Sequence, residues 1–362
     1  MPIEIPDRHA AIERARQSGR KIAAVLPIHH PRALLEAFGF LPVEVWGPPG
    51  RDLTSGDAHL QVYTCSIVRS SLAFLLDGGL DSCDLLVVPH GCDSLQGLGS
   101  LLIDLLPHRL PVVPFYLPRG EAASAVDFLA AELREMAQRI AATGAKMPND
   151  DALMAAIEAN EDADERLERL WTARASLPFD NRTFYRVVRS REYLAAADFS
   201  LVADAALAAL AAKDDLPAGV PVLLSGVVPE PMALLDTLTS AGALVVADDT
   251  LCCGRRIYPR GHSPQPWRRL AERLLAGPAD STRGSTIDSR ADHLTALAER
   301  SGARVVLFHL VKFCEPELFY LPRLRAALEQ RGLRHLTLEV DLSEGMAHQA
   351  VTRVEALLET VS

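Results

Sequence analysis

Short segments rich in Val, Ile and Leu alternate with helix-length stretches along most of this 362-residue chain, and that alternation restricts the fold more than any other feature. A strand buried on both faces reads as a near-continuous apolar run, and a parallel neighbour is reached only through a crossover, usually a helix. The pattern predicts strands over 22–28, 42–45, 85–89 and 111–115, with helices near 32–38, 66–77 and 95–106. A second set of strands is expected over 221–225, 244–247, 305–310 and 336–340, with helices near 230–241, 266–276, 289–301, 317–331 and 348–360. The chain therefore reads as α/β, with doubly wound parallel-sheet units over residues 1–120 and 216–362.

Between them, residues 121–215 change to Ala-, Glu-, Arg- and Leu-rich stretches broken near 144–151 and 177–181, as helices joined by turns would be. Asp150 is expected to cap a helix starting at Asp151, and Pro178 to end it. The acidic clusters of this segment read as a solvated face, 214–219 as a linker, and the polar, glycine-bearing stretch 277–285 as an exposed loop.

With 49% apolar residues the chain can bury a core for two domains, yet no apolar run approaches the roughly 18 to 20 residues that cross a bilayer. Residues 1–20 are polar, without a secretory leader pattern, so a cytoplasmic protein is expected. A net charge of −10 argues against an extended nucleic-acid surface, which needs clustered Lys and Arg. The pairs Arg255–Arg256 and Arg268–Arg269 read as solvated surface, the functional alternative being a hold on a phosphate-bearing ligand.

Six cysteines in a chain of this length are too few and too irregular for a disulfide scaffold. Several fall where a strand gives way to a loop, which in open parallel sheets is where ligands bind. Cys92 follows the strand ending near Pro89, Cys314 the strand ending near Leu310, and Cys252 and Cys253 the strand ending near Ala247. Cys65 stands just before a helix, where backbone N–H groups favour an anionic sulfur, while Cys83 reads as a packed thiol. Converging thiolates would suit zinc, copper(I) or an iron–sulfur cluster, and no C-x2-C pair chooses among them. Buried cysteines acting as small hydrophobes are the competing reading.

Five segments, in order, carry a resemblance. Pro31-Arg32-Ala33-Leu34-Leu35-Glu36-Ala37-Phe38-Gly39-Phe40-Leu41-Pro42-Val43 is followed by Gly56-Asp57-Ala58 with Gln61-x-Tyr63-x-Cys65-x-Ile67-x-Arg69-Ser70. Gly91-Cys92-Asp93, then Lys312-Phe313-Cys314-Glu315-Pro316, then Gly345 through Thr352-Arg353-Val354-Glu355 complete the series. Together they resemble the 2-hydroxyacyl-CoA dehydratase and benzoyl-CoA reductase family over nearly the whole chain. Relatives usually read Phe-Cys-Asp where this chain has Phe313-Cys314-Glu315.

The resemblance implies two flavodoxin-like, Rossmann-like units and a [4Fe–4S] cluster held by Cys65, Cys92 and Cys314, with one iron free of protein thiolate. It also implies a homologous partner subunit, an ATP-dependent iron–sulfur activator protein, an acyl-CoA substrate and low-potential one-electron chemistry. Dehydratase members expel a hydroxyl and reductase members add electrons to an aromatic ring; Pro31-Arg32 and Gln61-x-Tyr63 lean toward the reductase branch. No Gly-x-x-x-x-Gly-Lys-Ser/Thr motif occurs, so ATP hydrolysis is assigned to the activator.

Cys252, beside Cys253, Gly254 and two arginines, is open as a spectator, an extra ligand or a replacement ligand. Two alternatives stand beside the main reading: a double-cubane reductase of small molecules, and a non-catalytic electron relay. No catalytic residue is assigned. His29, His30, His90, Glu36, Asp93, Asp248 and Asp249 lie near strand ends, where structural roles compete with proton transfer.

Overall fold

A computed structural model describes residues 3–120, 124–209, 216–344 and 348–361. The expected segment start at Glu121, the linker residues Asp214 and Asp215, and the motif residue Gly345 lie outside the described residues. The first sheet contains β1 (Lys21–Val25), β2 (Phe40–Glu44), β3 (Leu85–Pro89) and β4 (Val112–Phe115), in the order β2-β1-β3-β4. The second contains β5 (Val220–Gly226), β6 (Ala243–Thr250), β7 (Val305–Val311) and β8 (Arg334–Val340), in the order β6-β5-β7-β8. Every pairing is parallel. The doubly wound α/β expectation holds, with strand ends within a few residues of those read from the apolar runs.

Residue choice explains the strand positions. β3 and β7 are buried along their whole length, as central strands covered by helices on both faces should be. Pro42 and Pro114 sit in the edge strands β2 and β4, and Pro221 near the start of β5, where a missing N–H costs least. In each sheet the strand order reverses beside its first strand, so a ligand crevice opens at the carboxyl ends of β1 and β3 and of β5 and β7.

The intervening segment is helical, over Ala125–Ala142, Asp150–Thr172, Asn181–Arg189 and Ala196–Leu207. The cap of its second helix is Asn149, whose side chain accepts from the Ala152 N–H at 2.8 Å, and Asp150 is the first helical residue. That helix ends at Thr172, before the break at Pro178. A further helix, Arg8–Gln17, lies outside the sequence expectation; it buries only Ala11 and Ala15, too small an apolar stripe to register in the sequence. Among the described residues no helix is long and apolar enough to cross a membrane.

Two surface expectations fail, and a third fails in part, for one reason. The acidic helix keeps Glu158, Asp162, Glu165 and Glu168 exposed but buries two of its acids. In 277–285, Asp280 is fully buried, and Ser281, Thr282 and Arg283 are buried with it. Arg255 and Arg256 are buried too, as are Glu161 and Asp164 of the acidic helix. Each is paired: Arg255 with Glu317, Asp249 and Asp280, Arg256 with Glu44, and Glu161 and Asp164 with Arg269, Arg273 and Arg191. A charge can leave water only when paired and hydrogen-bonded, and here long-range partners meet that condition. Arg268 does remain exposed, beside Asp127.

Candidate functional site

Three helices from the two units each begin immediately after a cysteine, two of them in the short loops that follow β3 and β7. Cys65 precedes Ser66–Leu76, Cys92 precedes Asp93–Ser100, and Cys314 precedes Glu315–Gln330. Phe313 takes a left-handed backbone, φ +64°, which turns the chain from β7 into its helix and sets Cys314 at the helix start. The three cysteines line one cavity of about 230 Å³, together with Phe313, Phe319 and Tyr320. Cys65 and Cys314 are buried, while Cys92 is partly exposed.

Without a bound cation these sulfurs hold their protons. Burial raises the Cys65 thiol, and the N–H groups of Val68 and Ile67 at the helix start pull in the opposite direction. Burial, then the neighbouring Cys65, pushes Cys92 up to about 12. Cys314 is raised by burial, Cys65, Glu317 and Cys92 together. The mutual repulsion shows three sulfurs within electrostatic reach, and the helix-start N–H groups are ready donors to thiolates once a metal compensates the charge.

A buried network underlies the cavity. Glu317, on the Cys314 helix, takes two bonds from Arg255, at 2.7 and 2.8 Å, and a third from the Ser281 hydroxyl of the cavity wall. Arg255 also contacts Asp280 at 3.4 Å, and Asp280 lies 3.6 Å from His29, which bonds Thr282 and Tyr258. Asp249 is held well below the carboxylate range: burial opposes ionisation, but Arg290 and Arg255 overcome it. These contacts bolt the loop after β6 and the stretch 277–285 to the Cys314 helix.

The remaining predicted side chains are spread out. His90 packs edge-on against Tyr116 with ring centroids 4.3 Å apart, and the exposed Asp93 lies 3.7 Å from Arg119 at the cavity wall. Glu36 accepts from Asn160, and Asp248 accepts from Tyr185, Thr250 and Gly254, which closes the turn after β6. Cys83 is a buried thiol raised to about 11 by burial, in keeping with ordinary packing.

Cys252 is not in this cavity. With Cys253 it lines a separate one, the two sulfurs 3.6 Å apart. Among the described residues Glu192, Cys252 and Cys253 form the one group of three ligating side chains whose donor atoms all lie within 4.8 Å. Cys65, Cys92 and Cys314 form no such tight group, so their cavity suits something larger than one ion.

Residues 27–361 match the family described as 2-hydroxyglutaryl-CoA dehydratase, D-component. The chain belongs to that family. It is 24% identical to the (R)-phenyllactyl-CoA dehydratase beta subunit of Clostridium sporogenes over 366 residues, covering 99% of this chain and 96% of the relative. It is 23% identical to lactoyl-CoA dehydratase subunit beta of Anaerotignum propionicum, covering 95% and 92%. One of the subunits of benzoyl-CoA reductase from Thauera aromatica is 23% identical, with 90% and 87% covered. Both the dehydratase and the reductase expectation of the sequence thus have named counterparts, each a subunit of a larger enzyme.

Sequence reasoning missed Glu192, Asp280 and Glu317. The partners that give them their place are distant in sequence, Arg255 for Asp280 and Glu317 and Cys252 and Cys253 for Glu192, so no local pattern marks them. A weak signal did exist in Arg255–Arg256, a charged pair placed directly after two cysteines and a glycine.

Proposed function

We propose that this chain is the [4Fe–4S]-carrying subunit of a 2-hydroxyacyl-CoA dehydratase or benzoyl-CoA reductase-like enzyme, with Cys65, Cys92 and Cys314 as the cluster's protein ligands. The observation that carries this reading is the single cavity lined by three thiols, each at a helix start, two from the first unit and one from the second. The donor set fits the group: soft thiolates suit iron–sulfur clusters, and three of them leave one metal corner for another ligand. When bound, such a cluster would supply single electrons at low potential to a thioester carbonyl or an aromatic ring.

The chain's own residues do the holding and the shielding. The Arg255–Glu317 pair fixes the Cys314 helix, and N–H groups at the starts of the Cys65 and Cys92 helices, those of Ile67, Val68, Ser94 and Leu95, face the sulfurs. Phe313 and Phe319 line the mouth yet are themselves exposed, as are Val62 and Tyr63 just before Cys65. An apolar rim of this kind suits a homologous partner subunit that closes the cavity and excludes water. Arg119 at the wall offers a cation to the phosphates of an acyl-CoA. An ATP-dependent activator protein would deliver the electron, and the cytoplasm is the matching compartment for such a thiol-rich site.

Calorimetry of the anaerobic, iron-loaded chain with an acyl-CoA tests the functional part. Heat of binding that disappears in Arg119→Ala agrees with the proposal. Tight acyl-CoA binding by the partner subunit alone, with none here, reduces this chain to an electron relay.

A further inference from the structure

The loop after β6 forms a second, much tighter sulfur site. Cys252 and Cys253 are 5% and 3% exposed, and Glu192 is 2% exposed. Their donor atoms all fall within 4.8 Å of one another, with the sulfurs 3.6 Å apart. Around a tetrahedral zinc ion with Zn–S bonds near 2.3 Å, two thiolates stand about 3.8 Å apart, close to the spacing that the two thiols keep here in mutual contact, so an ion would need little rearrangement of the sulfurs. The adjoining cavity is only about 40 Å³, room for an ion and far too small for a cubane. It shares no lining residue with the cavity of Cys65, Cys92 and Cys314.

A second observation is independent of the cysteines. His30 lines the same cavity, is 3% exposed, and has no hydrogen-bond partner on either ring nitrogen. A buried imidazole with both nitrogens unpaired is costly, and a metal-bound water in the shared cavity is one way to recover that cost. His30 stands outside the 4.8 Å group, so it is not counted among the ion's ligands.

The surroundings are built to hold these donors. Arg189 and Arg8 grip the Glu192 carboxylate, Arg189 through Oε1 at 2.7 Å and Oε2 at 3.1 Å and Arg8 through Oε2 at 2.7 Å, as outer groups orient a metal-binding carboxylate. Arg256 donates to the Cys252 carbonyl at 3.2 Å, and Asp248 receives the N–H groups of Thr250 and Gly254. At Gly254 a Cβ would stand 1.8 Å from the Asp248 carbonyl oxygen, so only glycine permits this turn.

We propose that Cys252, Cys253 and Glu192 bind one divalent zinc-class ion, with water in the fourth position and His30 facing that water across the cavity. It would pin the second unit's β6 loop to the helical segment. Binding releases the protons of the two thiols and leaves the oxidation state of the sulfurs unchanged. The inference stands apart from the cluster reading and survives its failure.

The test uses a full-length chain carrying Cys65→Ala, Cys92→Ala and Cys314→Ala, so that Cys252, Cys253 and Cys83 are the cysteines left. Cobalt(II) added anaerobically should give a thiolate-to-metal charge-transfer band that saturates at one ion per chain and is erased by one equivalent of zinc. The further changes Cys252→Ser and Cys253→Ser should remove the band. Wild-type protein grown with zinc should retain one zinc in addition to its iron, which requires no variant to fold. Absence of zinc from the wild type with no cobalt band overturns the proposal, and so does a band that persists without Cys252 and Cys253.

Discussion

Two groups of cysteines in this molecule differ in almost every physical respect. Cys65, Cys92 and Cys314 come from distant parts of the chain, sit at three helix starts and surround about 230 Å³ with an apolar, exposed rim. Cys252 and Cys253 are chain neighbours with sulfurs 3.6 Å apart, walled in by arginine–glutamate pairs around about 40 Å³. Sulfur identity alone therefore does not decide what a thiol site holds. Spacing and surroundings do: backbone N–H groups and open volume at one, side-chain ion pairs and tight volume at the other.

The largest expected effect separates the two by iron. Cys314→Ala should lower iron in anaerobically isolated protein at least tenfold, while the Cys252→Ser, Cys253→Ser variant should keep wild-type iron; equal losses in both would erase the distinction. Next comes the link between the sites. Arg255→Met leaves Glu317, Asp249 and Asp280 buried without their common cation, and should cost about 3–5 kcal/mol in urea unfolding. A loss under about 1 kcal/mol would mean that the network does not couple the β6 loop to the Cys314 helix.

A smaller effect comes from pH and centres on the second sheet. Burial lowers His309 to about 4 from an ordinary value of 6.5, against a weak bond to the Val228 carbonyl that raises it. The unfolded chain therefore takes up the proton first, and stability present above pH 6.5 is lost as pH falls toward 4. Between pH 7 and 5 this group should account for about 2 kcal/mol of lost stability, and His309→Asn should flatten the profile by that amount. His29 and His30, also lowered by burial, leave a residual slope of the same sign. The smallest effect lies outside both sites: Asn149→Ala should cost about 1 kcal/mol in thermal or urea unfolding with no change in bound metal.

The strands were legible because a fully buried parallel strand leaves a continuous apolar run, as in Leu85–Pro89 and Val305–Val311. The convergence of Cys92 and Cys314 was legible for a related reason, since residues that follow such strands gather at the sheet's carboxyl edge; Cys65, well beyond the end of β2, was joined to them by the family resemblance. Charges were misread because a buried pair and a solvated pair look alike in sequence. Arg255 resembles any surface arginine until Glu317 and Asp280 are brought from two other segments to join Asp249 of its own. Glu192 was silent, because its proximity to Cys252 and Cys253 arises only when the helical segment closes against the second unit, whereas His30 was marked by its place at a strand end without any sign that it shares their cavity.

The most direct test is the iron count of the chain isolated without oxygen, wild type beside the Cys65→Ala variant. About four irons per wild-type chain are expected, with matching sulfide, and almost none in the variant. A wild-type chain without iron, or iron that stays when Cys65 is gone, would contradict a cluster held by these three thiols.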